Sequence, residues 1–202
     1  MVNIPSLIIS VISLIIAITI HEFSHALAAD RLGDPTPRSQ GRLSLNPLKH
    51  LDPIGTLMIF LVHFGWGKPV VIDPYNFKNP KKDEMIVSIA GPASNLILAI
   101  LLSIIFRLLP LNFLSALIIS TIIQLNVLLA VFNLIPIPPL DGSKILLNLL
   151  PTHLSEQWQE IFNQYGFILL IILLFLPIVN GSTLVSVIMT PTMDFILKIL
   201  LG

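Results

Sequence analysis

The chain has 202 residues, of which 54% are hydrophobic and 11% charged, with 11 basic residues balancing 11 acidic ones and a mean hydropathy of +0.91. Globular chains carry about 25% charged residues, so this composition describes an integral membrane protein and gives no support for a nucleic-acid partner. Cysteine is absent, which removes disulfides and thiolate metal sites and leaves His, Asp and Glu as ligand types.

The length suits one bundle of about four to six transmembrane helices rather than several domains. Span one is expected from about Pro5 to Ala29; it lacks a basic leader and ends in His-Glu, so it reads as a retained helix rather than a signal peptide. The polar stretch Asp30 to Asp52 carries Arg31, Arg38, Arg42 and Lys49, which predicts a cytoplasmic loop and an outside N-terminus. Pro53 to Phe64 is too short to cross. With Lys68, Lys78, Lys81 and Lys82 following it, it is expected to be a re-entrant, β-hairpin-like segment, a backbone tolerated at depth only beside protein or a watery cavity.

Span two is expected from about Glu84 to Leu109 and span three from about Asn112 to Leu134, joined by a tight turn at Pro110. Three prolines in Asn133-Leu134-Ile135-Pro136-Ile137-Pro138-Pro139-Leu140-Asp141-Gly142 then forbid a continuing helix. Leu154, Trp158, Ile161, Phe162 and Tyr165 recur at helical spacing among Glu and Gln, predicting a cytoplasmic amphipathic helix. A further span from about Gly166 to Val179 and a last apolar segment broken by Pro191 complete the chain. The fold class is thus an all-α polytopic membrane protein, a single domain over residues 1–202 with a core at 4–142 and C-terminal helices at 152–202.

At the end of span one stands His21-Glu22-Phe23-Ser24-His25. Histidines four apart on a helix lie about 40° apart around it and roughly 6 Å apart along it, so both imidazoles can reach one ion. Ionisable groups inside a membrane cost at least about 2.5 kcal/mol each, so three together point to function. A zinc site of this kind needs a third protein ligand and an open position. Counting crossings brings Asp141 to the same face as His21 and His25, which makes it the preferred third ligand. Asp30 and Asp34 lie too near in sequence to fold back easily, His50, His63, Asp52 and Asp73 sit in loops with no helix to place them, and Asp194 is equally a helix cap. Glu22 is placed to serve as the base for a metal-activated water.

These motifs resemble the site-two protease family of intramembrane zinc metalloproteases, in its compact form without a PDZ insert. The resemblance rests on His21 to His25, on the N-x-x-P-x-P-x-x-D-G pattern of Asn133 to Gly142, on Gly91-Pro92-Ala93-Ser94-Asn95, and on Gly65-Trp66-Gly67-Lys68-Pro69-Val70. It implies one zinc ion on His21, His25 and Asp141, Glu22 as catalytic base, Asn133 holding substrate or the oxyanion, and Asn95 lining the substrate cleft. It also implies cleavage of a membrane-protein substrate in its transmembrane segment, near the cytoplasmic face of a multi-pass cell-membrane protein. A metal-ion transporter would place His and Asp in broken helices but should carry inverted repeats. An inactive binding module of the same fold should lack Glu22 or a ligand, and all four groups are present.

Overall fold

The computed structural model describes residues 4–62, 65–177 and 181–202. Apolar runs rich in Leu and Ile form long helices because a membrane leaves the backbone no other partner than itself. In chain order these are α1 (Ile4–Leu32), the short α2 (Thr36–Ser39), α3 (Pro53–Val62), α4 (Pro80–Leu108), α5 (Phe113–Asn133), α6 (Asp141–Leu149), α7 (Thr152–Phe175) and α8 (Leu184–Leu201). Single 3-10 turns at Pro47–Lys49 and Pro74–Asn76 punctuate the first polar region. Among the described residues there is no strand, only isolated bridges between Leu51 and Gly67 and between Pro177 and Thr183.

Five helices, α1, α4, α5, α7 and α8, are long and apolar enough to cross a membrane. Three of them, α1, α4 and α5, pack against one another, and the shorter α6 lies along α4. One apolar cluster, built on Ala99, Ile123, Val127 and Leu200, fills the half of the bundle away from the site. A second, built on Ile135, Leu140, Leu170, Leu173 and Met189, lies beside the break after α5.

Two expectations change in detail. The 53–64 segment is helical over Pro53–Val62 and not hairpin-like, because Pro53 opens a helix whose free Gly55 N–H is capped by Asp52 Oδ1 at 2.8 Å. The run after it is irregular, with Gly67 in an isolated bridge to Leu51. The amphipathic stretch from Leu154 and the span expected from Gly166 merge into the single helix α7, since nothing between Thr152 and Phe175 breaks a helix. Phe64, His63 and Asn180 lie outside the described residues.

Candidate metal centre

His21 and His25 project from α1, and Asp141 is the first residue of α6. Their Nε2 atoms are 3.0 Å apart, and Asp141 Oδ2 lies 3.1 Å from His21 Nε2 and 3.2 Å from His25 Nε2. The opposite nitrogens are also engaged. His21 Nδ1 is 2.7 Å from Asn95 Oδ1 and His25 Nδ1 is 2.7 Å from the Val87 carbonyl. The Asn95 amide is oriented by its other end, where Nδ2 donates to the Ala17 carbonyl at 3.0 Å and to Asn126 Oδ1 at 2.7 Å. Both Nδ1 atoms therefore face acceptors and carry the proton, which turns both Nε2 lone pairs toward each other and toward a carboxylate oxygen.

Three electron-rich atoms at that spacing repel unless a cation lies between them. Ligands in a tetrahedral zinc set with bonds of about 2.0–2.1 Å stand roughly 3.3 Å from one another, close to the distances found here. The residues fit a small divalent ion of the kind that takes imidazole and carboxylate, and among the described residues this is the one His and acid group able to hold one.

The neighbouring elements close around this group only because two positions lack a side chain. A Cβ on Gly91 of α4 would overlap His25 Nε2 and stand 2.7 Å from His21 Cε1. A Cβ on Gly142 would strike the Leu134 carbonyl, so the Pro-rich break could not fold back to deliver Asp141.

Glu22 lies beside the group. It lines a cavity of about 110 Å³ shared with His21, His25 and Asp141 and walled by Val70, Ser88, Asn133 and Lys144. Its Oε2 accepts a hydrogen bond from the Val70 N–H at 3.1 Å and stands 3.5 Å from Arg42 Nη2. Asn133 is half-buried on the cavity wall and donates from Nδ2 to the Leu129 carbonyl at 2.9 Å. Asn95 is fully buried beneath His21 and is not part of that wall. Sequence reasoning missed Asn126, Lys144 and Arg42 as neighbours of the site. Lys144 was signalled by its spacing, one helical turn after Asp141.

Among the described residues, the other candidate ligands lie away from this group. Asp30 pairs with Arg38 at 2.6 Å. Buried Asp34 accepts from the Thr36 and Asp73 N–H groups and from Asn76 Nδ2, and these bonds outweigh its burial and hold its carboxyl below the ordinary range. Asp73 caps Tyr75 and Asp52 caps α3. His50 is fully buried with Nε2 at 2.6 Å from the Ser44 carbonyl, and Asp194 lies within α8.

Residues 111–173 match the family model described as Peptidase family M50. The Bacillus subtilis protein named "Putative zinc metalloprotease YwhC" is 40% identical over 198 residues, which cover 94% of this chain and 89% of that protein. The chain belongs to peptidase family M50. A Mycolicibacterium smegmatis relative, "Putative zinc metalloprotease Rip2", is 34% identical over 82% of this chain and 66% of its own length. The "Zinc metalloprotease MJ0392" of Methanocaldococcus jannaschii is 39% identical over 69 residues, 34% of this chain and 20% of its own. No solved structure matches. Membership in M50 bears out the resemblance to the site-two protease family and, with it, a zinc-dependent peptidase.

Proposed function

We propose that this M50 peptidase is an intramembrane endopeptidase that hydrolyses a peptide bond within or near the transmembrane segment of a membrane-protein substrate, with Glu22 as general base. The observation that carries the reading is the Glu22 carboxylate on the wall of the same cavity as His21, His25 and Asp141. A zinc ion held by those three residues would supply Lewis-acid chemistry, polarising the scissile carbonyl and making water acidic enough to react near neutral pH. Glu22 takes a proton from the attacking water and passes it to the leaving amine nitrogen as the C–N bond breaks. Its Oε2 is held by the Val70 N–H, which leaves Oε1 as the proton acceptor. Asn133 gives one amide hydrogen to Leu129 and keeps a second for the carbonyl oxygen of the substrate. Asn95 supports His21 and fixes its tautomer.

An intact substrate helix shields its peptide bonds, so the substrate unwinds before attack. Pro69, Val70 and Ile72, outside any helix on the cavity wall, offer backbone against which unwound chain can pair. Basic residues flank the site-bearing ends of α1 and α4, which supports a cytoplasmic site and an outside N-terminus in the cell membrane. The whole chain acts as one domain, with the chemistry in residues 4–142.

The test is Glu22→Gln in purified protein given a model transmembrane substrate. We expect zinc content equal to that of the unsubstituted protein and cleavage slowed by about 10²- to 10⁴-fold. Cleavage at the original rate would remove Glu22 from the role of base.

A further inference from the structure

Arg42 lies in the polar loop after α2, yet its side chain is only 4% exposed. Its backbone is pinned by a hydrogen bond from its N–H to the Pro37 carbonyl at 2.9 Å. Nη2 donates to the Lys68 carbonyl and stands 3.5 Å from Glu22 Oε2, while Nε is buried with no hydrogen-bond partner among the described residues. The Lys68 N–H in turn donates to the His50 carbonyl at 2.7 Å, and two residues on the Val70 N–H donates to the same Glu22 oxygen. One guanidinium thus joins the loop, the run after α3 and the carboxylate. A buried cation with an unpaired N–H is a costly way to tie a loop, since a neutral donor would serve the Lys68 carbonyl alone. Among the described residues the acid that this charge meets is Glu22.

We propose that Arg42 is a positioning residue for the general base, holding the Glu22 carboxylate and the Gly67–Val70 backbone in fixed relation beside the metal group. This rests on the peptidase reading of Glu22. The test compares Arg42→Gln and Arg42→Lys in the full-length protein for zinc content and for kcat and KM on a model transmembrane substrate. Arg42→Gln should keep its zinc and a KM within about twofold, with kcat lowered roughly 10- to 100-fold, and Arg42→Lys should recover part of the loss because it keeps the charge but not the planar fork. An unchanged kcat, a raised KM with kcat intact, or loss of zinc would each overturn the proposal. Should Arg42→Gln fail to fold, Arg42→Lys decides alone: a selective loss of kcat supports the role and an unchanged kcat overturns it. An unsubstituted protein that holds zinc and cleaves nothing would instead sink the peptidase reading.

A separate set of contacts concerns α7. Its first residue accepts from Lys81, in the first turn of α4, with Nζ to Thr152 Oγ1 at 3.2 Å. Near its other end Leu170 and Leu173 pack on Ile135 and Leu140, beside Asp141, and Gly166 faces Pro138. Both ends therefore lie at the face of the bundle that carries the metal group, although 24 residues of helix extend about 36 Å. No α7 residue joins the cluster in the opposite half. By contrast α8 runs from Met189 in the near cluster to Leu200, whose carbonyl accepts from Ser103 and Arg107 at the far end of α4.

We infer that α1, α4, α5 and α8 cross the membrane and that α7 lies along the lipid headgroup boundary, with exposed Trp158 and Tyr165 as its anchors. Four crossings put both ends of the described chain on the side opposite the metal group. The chain has no cysteine, so single substitutions Ser6→Cys, Ser39→Cys and Gly202→Cys can be labelled with a membrane-impermeant maleimide in vesicles of known orientation. Gly202→Cys should label from the same side as Ser6→Cys. Labelling from the side of Ser39→Cys would restore a fifth crossing and overturn the inference.

Discussion

Which nitrogen of each imidazole faces its partner at the metal centre is decided by two acceptors, the Asn95 side chain and the Val87 carbonyl. Replacing Asn95 with Leu leaves the His21 Nδ1–H unpaired and the ring free to turn, which should weaken zinc about 10- to 100-fold. Competition with a chelator measures this, and an unchanged affinity would contradict the assignment. His50 gives a second prediction. Burial, and then the charge of Arg42 nearby, push its imidazole below the ordinary range, against the hydrogen bond to Ser44. With an unfolded value near 6.5, the stability tied to neutral His50 is fully present above about pH 6.5 and is lost as the pH falls below it. Melting temperatures of the native chain and of His50→Gln, followed from pH 8 to pH 5, should converge or cross in that window. Parallel curves would count against it. The grouping of His21, His25 and Asp141 was legible in the sequence, because His-Glu-x-x-His sets two imidazoles on one helix face and the Pro-rich break carries Asp141 back toward them. Arg42 was not, since a basic residue in a polar loop reads as a topology signal until tertiary packing buries it.

At the scale of elements, the site depends on α4 approaching α1 without a side chain at Gly91. Gly91→Ala adds one methyl group where both imidazoles stand. The helices should persist by circular dichroism, because Ala is the better helix former, while bound zinc falls below half an equivalent. Full zinc in this variant would mean that α4 can shift away at little cost. Three long helices, α1, α4 and α5, were read within a few residues from apolar run length alone, with α1 at Ile4–Leu32 against an expected Pro5 to Ala29. The short segments were harder. Pro53 to Val62 is uniformly apolar, so neither a period of two nor of 3.6 stands out, and its helical state was set by Asp52 and Pro53 at its start. At Gly166, the change from polar to apolar composition suggested a boundary, yet composition alone does not end a helix.

For the whole molecule, the three helices α1, α4 and α5 form a frame in which two histidines wait at the end of one helix for a carboxylate delivered 116 residues later by a broken one. Counting crossings from sequence put Asp141 beside the two histidines, where it stands, while the course of α7 and α8 followed only from which apolar cluster each joins. The frame makes one demand above all others, that His21, His25 and Asp141 bind a single ion together. The most direct measurement is the metal content of the purified protein and of Asp141→Ala by elemental analysis. One zinc per chain in the former and a marked loss in the latter are expected. A full equivalent of zinc retained by Asp141→Ala would contradict the three-residue site.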